Sequence, residues 1–224
     1  GFLASDKLAM KERLHEAGIP IPWFARCWSL DDLKTTIAQR GYPLVLKPVD
    51  SRGARGVLRL MPGVDLAWAF TYSQSFSPSG RVMVEEYLEG PQISTESILC
   101  DGWAETPGFI DRNYATLDAS TPHMVEDGGE QPSVRTAADK AAVCALAERA
   151  ARALGITHGT AKGDMILTDN GPKVIEIAAR LSGGWMSTRQ IPLATGVDMV
   201  GIAIRLALGE SVAQEEAQPR YHQG

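Results

Sequence analysis

The sequence predicts an α+β fold in which short antiparallel strands form hairpins and separate segments form helices. Apolar segments bounded by prolines or turn residues occur in two close pairs, at 43–48 with 57–60 and at 163–167 with 173–178. Amphipathic segments of helical length lie before and between these pairs. In the first pair, a second strand follows the glycine-rich turn. A P-loop has a helix in that place, so the pair does not match a P-loop.

The first 60 residues contain two helix signals and the first hairpin. Residues 6–17 mix apolar and charged side chains at helical spacing, and Gly-Ile-Pro ends the segment. Ser29 is the expected N-cap of a second helix through residue 39, because two aspartates suit its first turn. A strand follows at 43–48, and the glycine-rich turn at 50–56 leads to the strand at 57–60.

The middle of the chain predicts three strands and a long loop. Segments 81–88 and 92–100 are expected to pair around the turn Glu-Gly-Pro, with 103–111 as a third antiparallel strand. Residues 114–133 are polar and irregular, and longer than most loops inside compact domains. We therefore expect a lid or a substrate loop there.

The C-terminal part predicts a helix, a hairpin and a last helix. Residues 136–154 form an alanine-rich amphipathic pattern that a glycine closes. The strands at 163–167 and 173–178 are joined by the turn Thr-Asp-Asn-Gly, and 195–208 is the last helical segment. The sequence contains no internal repeat and no low-complexity tract.

Composition excludes several classes of function. The 224 residues are 44% hydrophobic and 22% charged, enough for one large core or two joined smaller ones. A net charge of −5 offers no basic excess for nucleic acid or an anionic membrane, and no apolar run reaches the roughly 18 residues that span a bilayer. We therefore expect small-molecule partners. Three widely spaced cysteines favour a reducing, cytoplasmic location.

Cations and glycines near the first hairpin are suited to clustered negative charge. Lys7 lies on the first helix, and Lys47 ends a strand directly before the glycine-rich turn. A nucleotide triphosphate needs fixed cations together with backbone N–H groups that glycines allow to approach closely. The competing interpretation is a solvated surface lysine, which suits Lys7 better than Lys47 because the apolar strand around Lys47 is expected to be buried.

Two acids end the predicted strand at 81–88. A strand that carries Glu85 and Glu86 and then turns can present backbone groups and an acceptor to an adenine edge. The competing interpretation is an edge strand whose glutamates face solvent.

Two further acids are placed on neighbouring strands of the second hairpin. Asp164 and Glu176 lie within apolar strands, where a carboxylate is costly unless it is paired or bound to metal. Mg²⁺ takes one or two such carboxylates together with phosphate oxygens. The competing interpretation is a structural salt bridge to Arg180, which follows in the sequence.

Taken in this order, the motifs resemble the ATP-grasp superfamily from residue 5 to the last helix. The most similar members are those like carbamoyl-phosphate synthetase and L-amino-acid ligase, with D-alanine:D-alanine ligases and biotin carboxylases more distant. The resemblance implies two α+β subdomains that grip ATP between antiparallel sheets. It assigns 1–18 to an N-terminal helix, 19–80 to a small lid subdomain with the glycine hairpin, and 81–224 to a large catalytic subdomain.

The resemblance also implies roles for residues around the nucleotide. Lys7 and Lys47 would contact the phosphates, and Lys47 would also serve catalysis. The hairpin, with Ser51, Gly53 and Gly56, would fold over the phosphates. The adenine site would combine the Glu85 side chain with the backbone of Glu86 and Leu88.

For the reacting groups, the resemblance assigns Asp164 and Glu176 as ligands of Mg²⁺, with Mn²⁺ as an alternative ion. Arg180 would be a catalytic cation that stabilises the transferred phosphoryl group or the acyl-phosphate, and it would also contact substrate. Glu96 is expected near the substrate. A homodimer is among the expected assemblies.

The sequence departs from the family pattern at two positions. Gln92 stands where many members carry an acid for the ribose hydroxyls, and an amide can still hydrogen-bond them. Ala178 stands where many members carry an asparagine, and alanine cannot bind a second metal ion. Lys162 also occupies a position that other polar residues often hold, and it is a candidate contact to phosphate or product.

These motifs predict an ATP-dependent carboxylate–amine ligase that works through an acyl-phosphate. A bicarbonate-activating enzyme of the carbamoyl-phosphate synthetase or carboxylase type would use the same residues, and a nucleotide-binding module without catalysis is a third interpretation, favoured by Ala178. A Rossmann site is excluded because no G-x-G-x-x-G follows a strand. The chain lacks an initiating methionine, so we expect a fragment without its preceding N-terminal domain.

Overall fold

A computed structural model describes residues 1–221 and contains two antiparallel sheets. In chain order the strands are β1 (Phe24–Cys27), β2 (Leu44–Pro48), β3 (Leu58–Leu60), β4 (Val82–Glu86), β5 (Gln92–Cys100), β6 (Trp103–Asn113), β7 (Gly128–Glu130), β8 (Gly159–Thr168) and β9 (Gly171–Ala178). Four strands form the first sheet in the order β1-β4-β2-β3, and five form the second in the order β7-β6-β5-β8-β9. The α+β class predicted from the sequence is confirmed.

Helices pack against both sheets. They are α1 (Lys7–Glu16), α2 (Leu30–Arg40), α3 (Leu66–Ser75), α4 (Leu117–Ser120), α5 (Ala137–Ala153), α6 (Ile191–Thr195), α7 (Met199–Ala207) and α8 (Gln214–Ala217), with a π-helical segment at Met186–Gln190 and a 3-10 turn at Phe2–Ala4. The predicted N-cap at Ser29 is confirmed as a full capping box with Asp32.

Each sheet has its own apolar core. In the four-stranded sheet, Leu33 of α2 and Ala69 of α3 pack on strand residues such as Leu46. One face of the five-stranded sheet packs on α1 and α5, through side chains such as Leu14 and Val143. Apolar residues of the opposite face, such as Ile98, pack on side chains of the 186–206 region and form a second cluster.

Helix α1 packs on the five-stranded sheet but is also bonded to the smaller one. The backbone N–H of Lys7 donates to Val49 O at 2.8 Å, beyond the end of β2. Asp6 caps α1 by accepting from Ala9 N, and its other oxygen pairs with Arg81 at 2.6 Å. The N-terminal helix is therefore a bridge between the two sheets.

The strand order corrects two sequence predictions, and the helix bounds correct a third. Segment 81–88 was expected to pair with 92–100, but β4 pairs with β1 and β2 while β5 pairs with β6 and β8. The expected boundary at 80/81 is therefore too early, because β4 belongs to the small sheet. The helix expected at 195–208 is observed as α7 with a later start, because Thr195 ends α6 and Gly196 takes a left-handed conformation before Met199 begins α7. Both predicted hairpins are confirmed.

The long segment at 114–133 is partly regular and is attached to the small sheet. It contains α4 and β7, and its Pro122 O accepts from Arg59 N at 2.7 Å. His123 forms an isolated bridge to Leu58 and contacts the ring of Tyr72 edge-on. This segment therefore covers β3, which is the last strand of its sheet.

Among residues 1–221, no single helix is long and apolar enough to cross a membrane. The segments Met186–Thr195 and Met199–Ala207 pass that test of length and composition only as a pair, and they are bent by 119°.

Candidate active site

A cavity of about 700 Å³ lies between the two sheets. Its walls come from β2, the hairpin after it, the end of β4, and strands β8 and β9. Almost all the site residues predicted from the sequence line it: Lys7, Lys47, Ser51, Gly53, Gly56, Glu85, Glu86, Leu88, Gln92, Asp164, Glu176 and Arg180. The exception is Glu96.

Gly56 packs the glycine hairpin closely against Pro48 and Phe76. Its φ is 75°, and a Cβ on it would lie 2.8 Å from Pro48 Cγ and 3.0 Å from the Phe76 side chain. A side chain at this position would therefore strain the backbone and collide with its neighbours. On the other side of the hairpin, Lys7 Nζ donates to Ser51 O at 2.6 Å. The hairpin is thus fixed at both ends, while Gly53 at its tip is exposed.

A buried ionic network lies beneath the cavity wall that β2 and β4 form. Lys47 and Glu85 form an ion pair, and both side chains are at most 4% exposed. The second Glu85 oxygen lies 3.2 Å from Nζ of Lys11, whose side chain is fully buried. Burial would raise the pKa of Glu85, but the two lysines hold that pKa below its usual range. The solvent-facing edge strand considered for Glu85 is wrong, since β4 lies between β1 and β2.

Lys11 is a functional candidate that sequence reasoning missed. It was treated as one of the polar residues of an amphipathic helix. Yet Lys7, Leu8, Lys11 and Leu14 recur at the spacing of one helix face, and all four are buried. This shared face was the available signal. Burial lowers the pKa of Lys11 to about 8, against the opposing attraction of Glu85.

Asp164 and Glu176 are direct cross-strand partners on β8 and β9, so their side chains leave the same face of the sheet. Asp164 accepts from Ser94 Oγ at 2.7 Å and pairs with Lys162, and Glu176 lies 3.8 Å from Lys7 Nζ. Burial would raise the pKa of Asp164, but Lys162 and Ser94 keep it low. Both carboxylates therefore face the cavity beside a cation.

This arrangement does not contain the salt bridge to Arg180 that was considered as the alternative to a metal site. The competing interpretation was a salt bridge from Arg180 to one of the two acids, but its exposed guanidinium donates to Leu181 O at 3.1 Å. The lysines provide the counter-charges instead. No cluster of three His, Cys, Asp or Glu side chains within residues 1–221 is arranged to hold a metal ion. Two facing carboxylates nevertheless fit Mg²⁺, which takes its other ligands from phosphate oxygens and water.

Glu96 was expected near the substrate, but its side chain does not line the cavity. It is fully buried on β5, and both carboxylate oxygens accept from Ser187 Oγ, at 2.6 and 2.9 Å. One of them also accepts from Ser182 N at 3.3 Å. Glu96 therefore fixes the segment that follows Arg180.

Replacing Glu96 by alanine is expected to lower the free energy of unfolding by about 1–3 kcal/mol, because buried donors lose their acceptor. The melting temperature, measured by calorimetry, should fall by several degrees at about 2–4 °C per kcal/mol. Glu96→Gln should have a smaller effect because its amide oxygen can still accept from Ser187. A Glu96→Gln variant with an unchanged melting temperature and a raised KM would show direct substrate contact instead.

Arg112 and Glu126 form a further ion pair at the cavity, and neither was selected from the sequence. Arg112 is opposite Gln92 in the β5–β6 register, two residues from the start of the long segment. The predicted strand ended at residue 111, so its last inward-facing side chain was not considered. Lys162, Arg112 and Asp164 together make this wall of the cavity strongly charged.

The family model of the ATP-grasp domain matches residues 4–184. The uncharacterised protein y4rH of Sinorhizobium fredii is 30% identical over 96% of the chain and 44% of its own length. The carbamoyl phosphate synthase large chain of a Mycobacterium species is 28% identical over 95% of the chain and 18% of its own length. A D-alanine–D-alanine ligase of Ectopseudomonas mendocina is 25% identical over 88% of the chain and 66% of its own length.

Among solved structures, the L-amino acid ligase from Bacillus licheniformis superimposes with a TM-score of 0.77 at 23% identity. That match covers 96% of the chain and 51% of the ligase. The chain thus spans less than half the length of the first two sequence relatives and about half of this structural one.

Proposed function

The chain belongs to the ATP-grasp family, and on that premise we propose that it is the nucleotide-binding and catalytic part of an ATP-dependent carboxylate–amine ligase. The observation that carries the proposal is that a group of lysines and a pair of carboxylates line the same cavity. Lys7 and Lys47 lie on one side with the glycine hairpin, and the paired carboxylates of Asp164 and Glu176 lie opposite. Cations for phosphates and acids for a hard metal ion are the requirements of phosphoryl transfer from ATP.

In the proposed reaction, a substrate carboxylate oxygen attacks the γ-phosphorus of ATP and the bond to the ADP oxygen breaks. The amine nitrogen then attacks the acyl carbon, phosphate leaves, and the amine loses a proton. Lys7 and Lys47 bind the phosphates, and the hairpin excludes water from them. Arg180, exposed at the cavity, offsets the charge that develops on the transferred group. Asp164 and Glu176 would hold Mg²⁺, which would supply further positive charge to stabilise the transferred phosphoryl group.

The proposed adenine site uses backbone more than side chains. Both oxygens of Glu85 face lysines, so its carboxylate is less available to the adenine amino group than the resemblance implied. The backbone of Glu86 and Leu88, at the cavity wall after β4, remains the candidate for reading the ring edge. Gln92 lines the same region and is suited to the ribose hydroxyls.

A bicarbonate-activating reaction is the second candidate function, favoured by the 28% identity to a carbamoyl phosphate synthase large chain. A nucleotide-binding module without catalysis is the third interpretation. To separate them, the protein is incubated with ATP and Mg²⁺, and ADP release is measured with pools of amino acids and small acids or with bicarbonate alone. Release that needs both an acid and an amine supports the ligase. Release with bicarbonate alone supports the second candidate, and ATP binding without release under every condition supports the third.

Further assignments remain part of this proposal. They are Mn²⁺ as a replacement for Mg²⁺, a homodimer, a cytoplasmic location, and a lid role for the small sheet with its hairpin. The lid is supported by the fact that the cavity lies between the two sheets.

A further inference from the structure

Lys11 is a fully buried cation that does not itself line the cavity. Its Nζ donates to Val174 O of β9 at 3.1 Å and lies 3.2 Å from Glu85 Oε2 of β4. A lysine on α1 is thus bonded to both sheets at once. This burial requires a compensating interaction, because burying an ammonium group is costly unless it neutralises a charge.

Glu85 has more counter-charge than it needs. Lys47 pairs with Oε1 and Lys11 lies at Oε2, so two positive charges surround one buried negative charge. One ammonium is enough to keep a buried carboxylate compensated. Of the two, Lys47 lines the cavity and Lys11 does not. Lys47 can therefore reorient its ammonium group toward a ligand in the cavity, whereas Lys11 cannot.

We propose that Lys11 is a positioning residue for nucleotide binding: it keeps Glu85 neutralised and fixed, so that Lys47 can exchange Glu85 for a phosphate oxygen of ATP. This inference rests on the proposed function. Without Lys11, any movement of Lys47 would leave Glu85 as an unpaired buried anion, and the lysine would be held to the carboxylate. With Lys11 present, the exchange costs little and the pocket gains a cation for the phosphates.

The same network makes ATP affinity depend on pH. The charged groups that face Lys11 are Glu85, Lys47 and, more distantly, Glu176, with Lys7 one turn earlier on α1. Burial places the pKa of Lys11 near 8, so Lys11 loses its charge as pH rises through that value. A neutral Lys11 cannot compensate Glu85, and Lys47 is then retained by it. ATP affinity should therefore fall between pH 7 and pH 9.

The test measures the ATP dissociation constant by calorimetry for wild type, Lys11→Met, Glu85→Gln and the double variant. Lys11→Met should weaken binding on the order of tenfold, as expected when a charged hydrogen bond is withheld from the ligand. In the double variant Lys47 has no carboxylate to hold it, so affinity should return to within about threefold of the Glu85→Gln value. Lys34→Met, at an exposed site on α2, is the matched control.

A merely structural Lys11 would give a different pattern. The loss of ATP affinity in Lys11→Met would then persist in the double variant. The pH profile of ATP affinity in Lys11→Met would also keep its wild-type shape. Either result overturns the proposal, whereas recovery together with a flat profile in Lys11→Met supports it. If Lys11→Met alone does not fold, the double variant, in which Lys47 is the one remaining charge of the three and lines the cavity, still decides through its affinity and pH profile. Wild-type protein that does not bind ATP at all would instead sink the proposed function.

Discussion

Replacing Glu176 by glutamine is expected to reduce ATP turnover by a factor on the order of a thousand, since several kcal/mol of charge stabilisation depend on the metal that this carboxylate holds. Glutamine keeps the size of the side chain and a hydrogen-bond acceptor for Lys7, which lies 3.8 Å away. The fold should therefore be preserved. ATP binding measured without Mg²⁺ should change by less than about threefold, whereas the gain in affinity on adding Mg²⁺ should largely disappear.

The control for this variant is Glu215→Gln, an exposed acid on α8 outside the cavity lining. It should leave turnover and Mg²⁺ dependence unchanged. Asp164→Asn should reproduce the Glu176→Gln pattern because the two acids are direct cross-strand partners. If Glu176→Gln retained both turnover and the effect of Mg²⁺, the acid pair would not be the metal site.

Replacing Lys47 by methionine is expected to weaken ATP binding by about 1.5–3 kcal/mol, the range for a hydrogen bond to a charged group. This corresponds to roughly 10- to 150-fold in the dissociation constant, measured by calorimetry. Methionine fills most of the buried volume, and Lys11 still neutralises Glu85, so the protein should fold. Circular dichroism and the melting temperature check that the structure is retained.

Unchanged ATP affinity in folded Lys47→Met would remove Lys47 from the phosphate site. Lys11→Met provides an internal comparison. The comparison is made in a Glu85→Gln background, so that no buried carboxylate is left unpaired. If Lys11 acts only through Glu85 and Lys47, adding Lys11→Met to Lys47→Met in that background should cause no further loss of ATP affinity. A full additional loss would mean that the two lysines act separately.

The hairpins and the caps were predictable because their signals are local. The strand at 43–48 and its partner are separated by a glycine turn, and Ser29 with its aspartates specifies a helix start within four residues. The pairing of 81–88 was not predictable in this way. A turn such as 89–91 indicates that the chain changes direction, but it does not indicate which strand the following segment pairs with. Gly90 packs against β8, where a Cβ would lie 2.2 Å from Leu167 O, and the chain passes there into the second sheet.

The errors in the site have related physical causes. Eight consecutive residues of β5, from Ile93 to Cys100, are buried because the strand is central and covered on both faces. Such a strand shows no alternation of polar and apolar residues, so the sequence could not tell that Glu96 faces a helical segment and not the cavity. Lys11 was missed because buried lysines are rare, and only its partners from two distant strands explain its burial.

The attachment of segment 114–133 to β3 has a consequence for solubility. An outermost strand exposes backbone N–H and C=O groups that can recruit a strand from another molecule. Here Arg59 N is bonded to Pro122 O, and the bridge between Leu58 and His123 occupies the same edge. If this segment lifts to admit substrate, the edge is uncovered. Opening of the cavity and self-association would then both require that these contacts break. Variants that hold the segment open should therefore aggregate sooner.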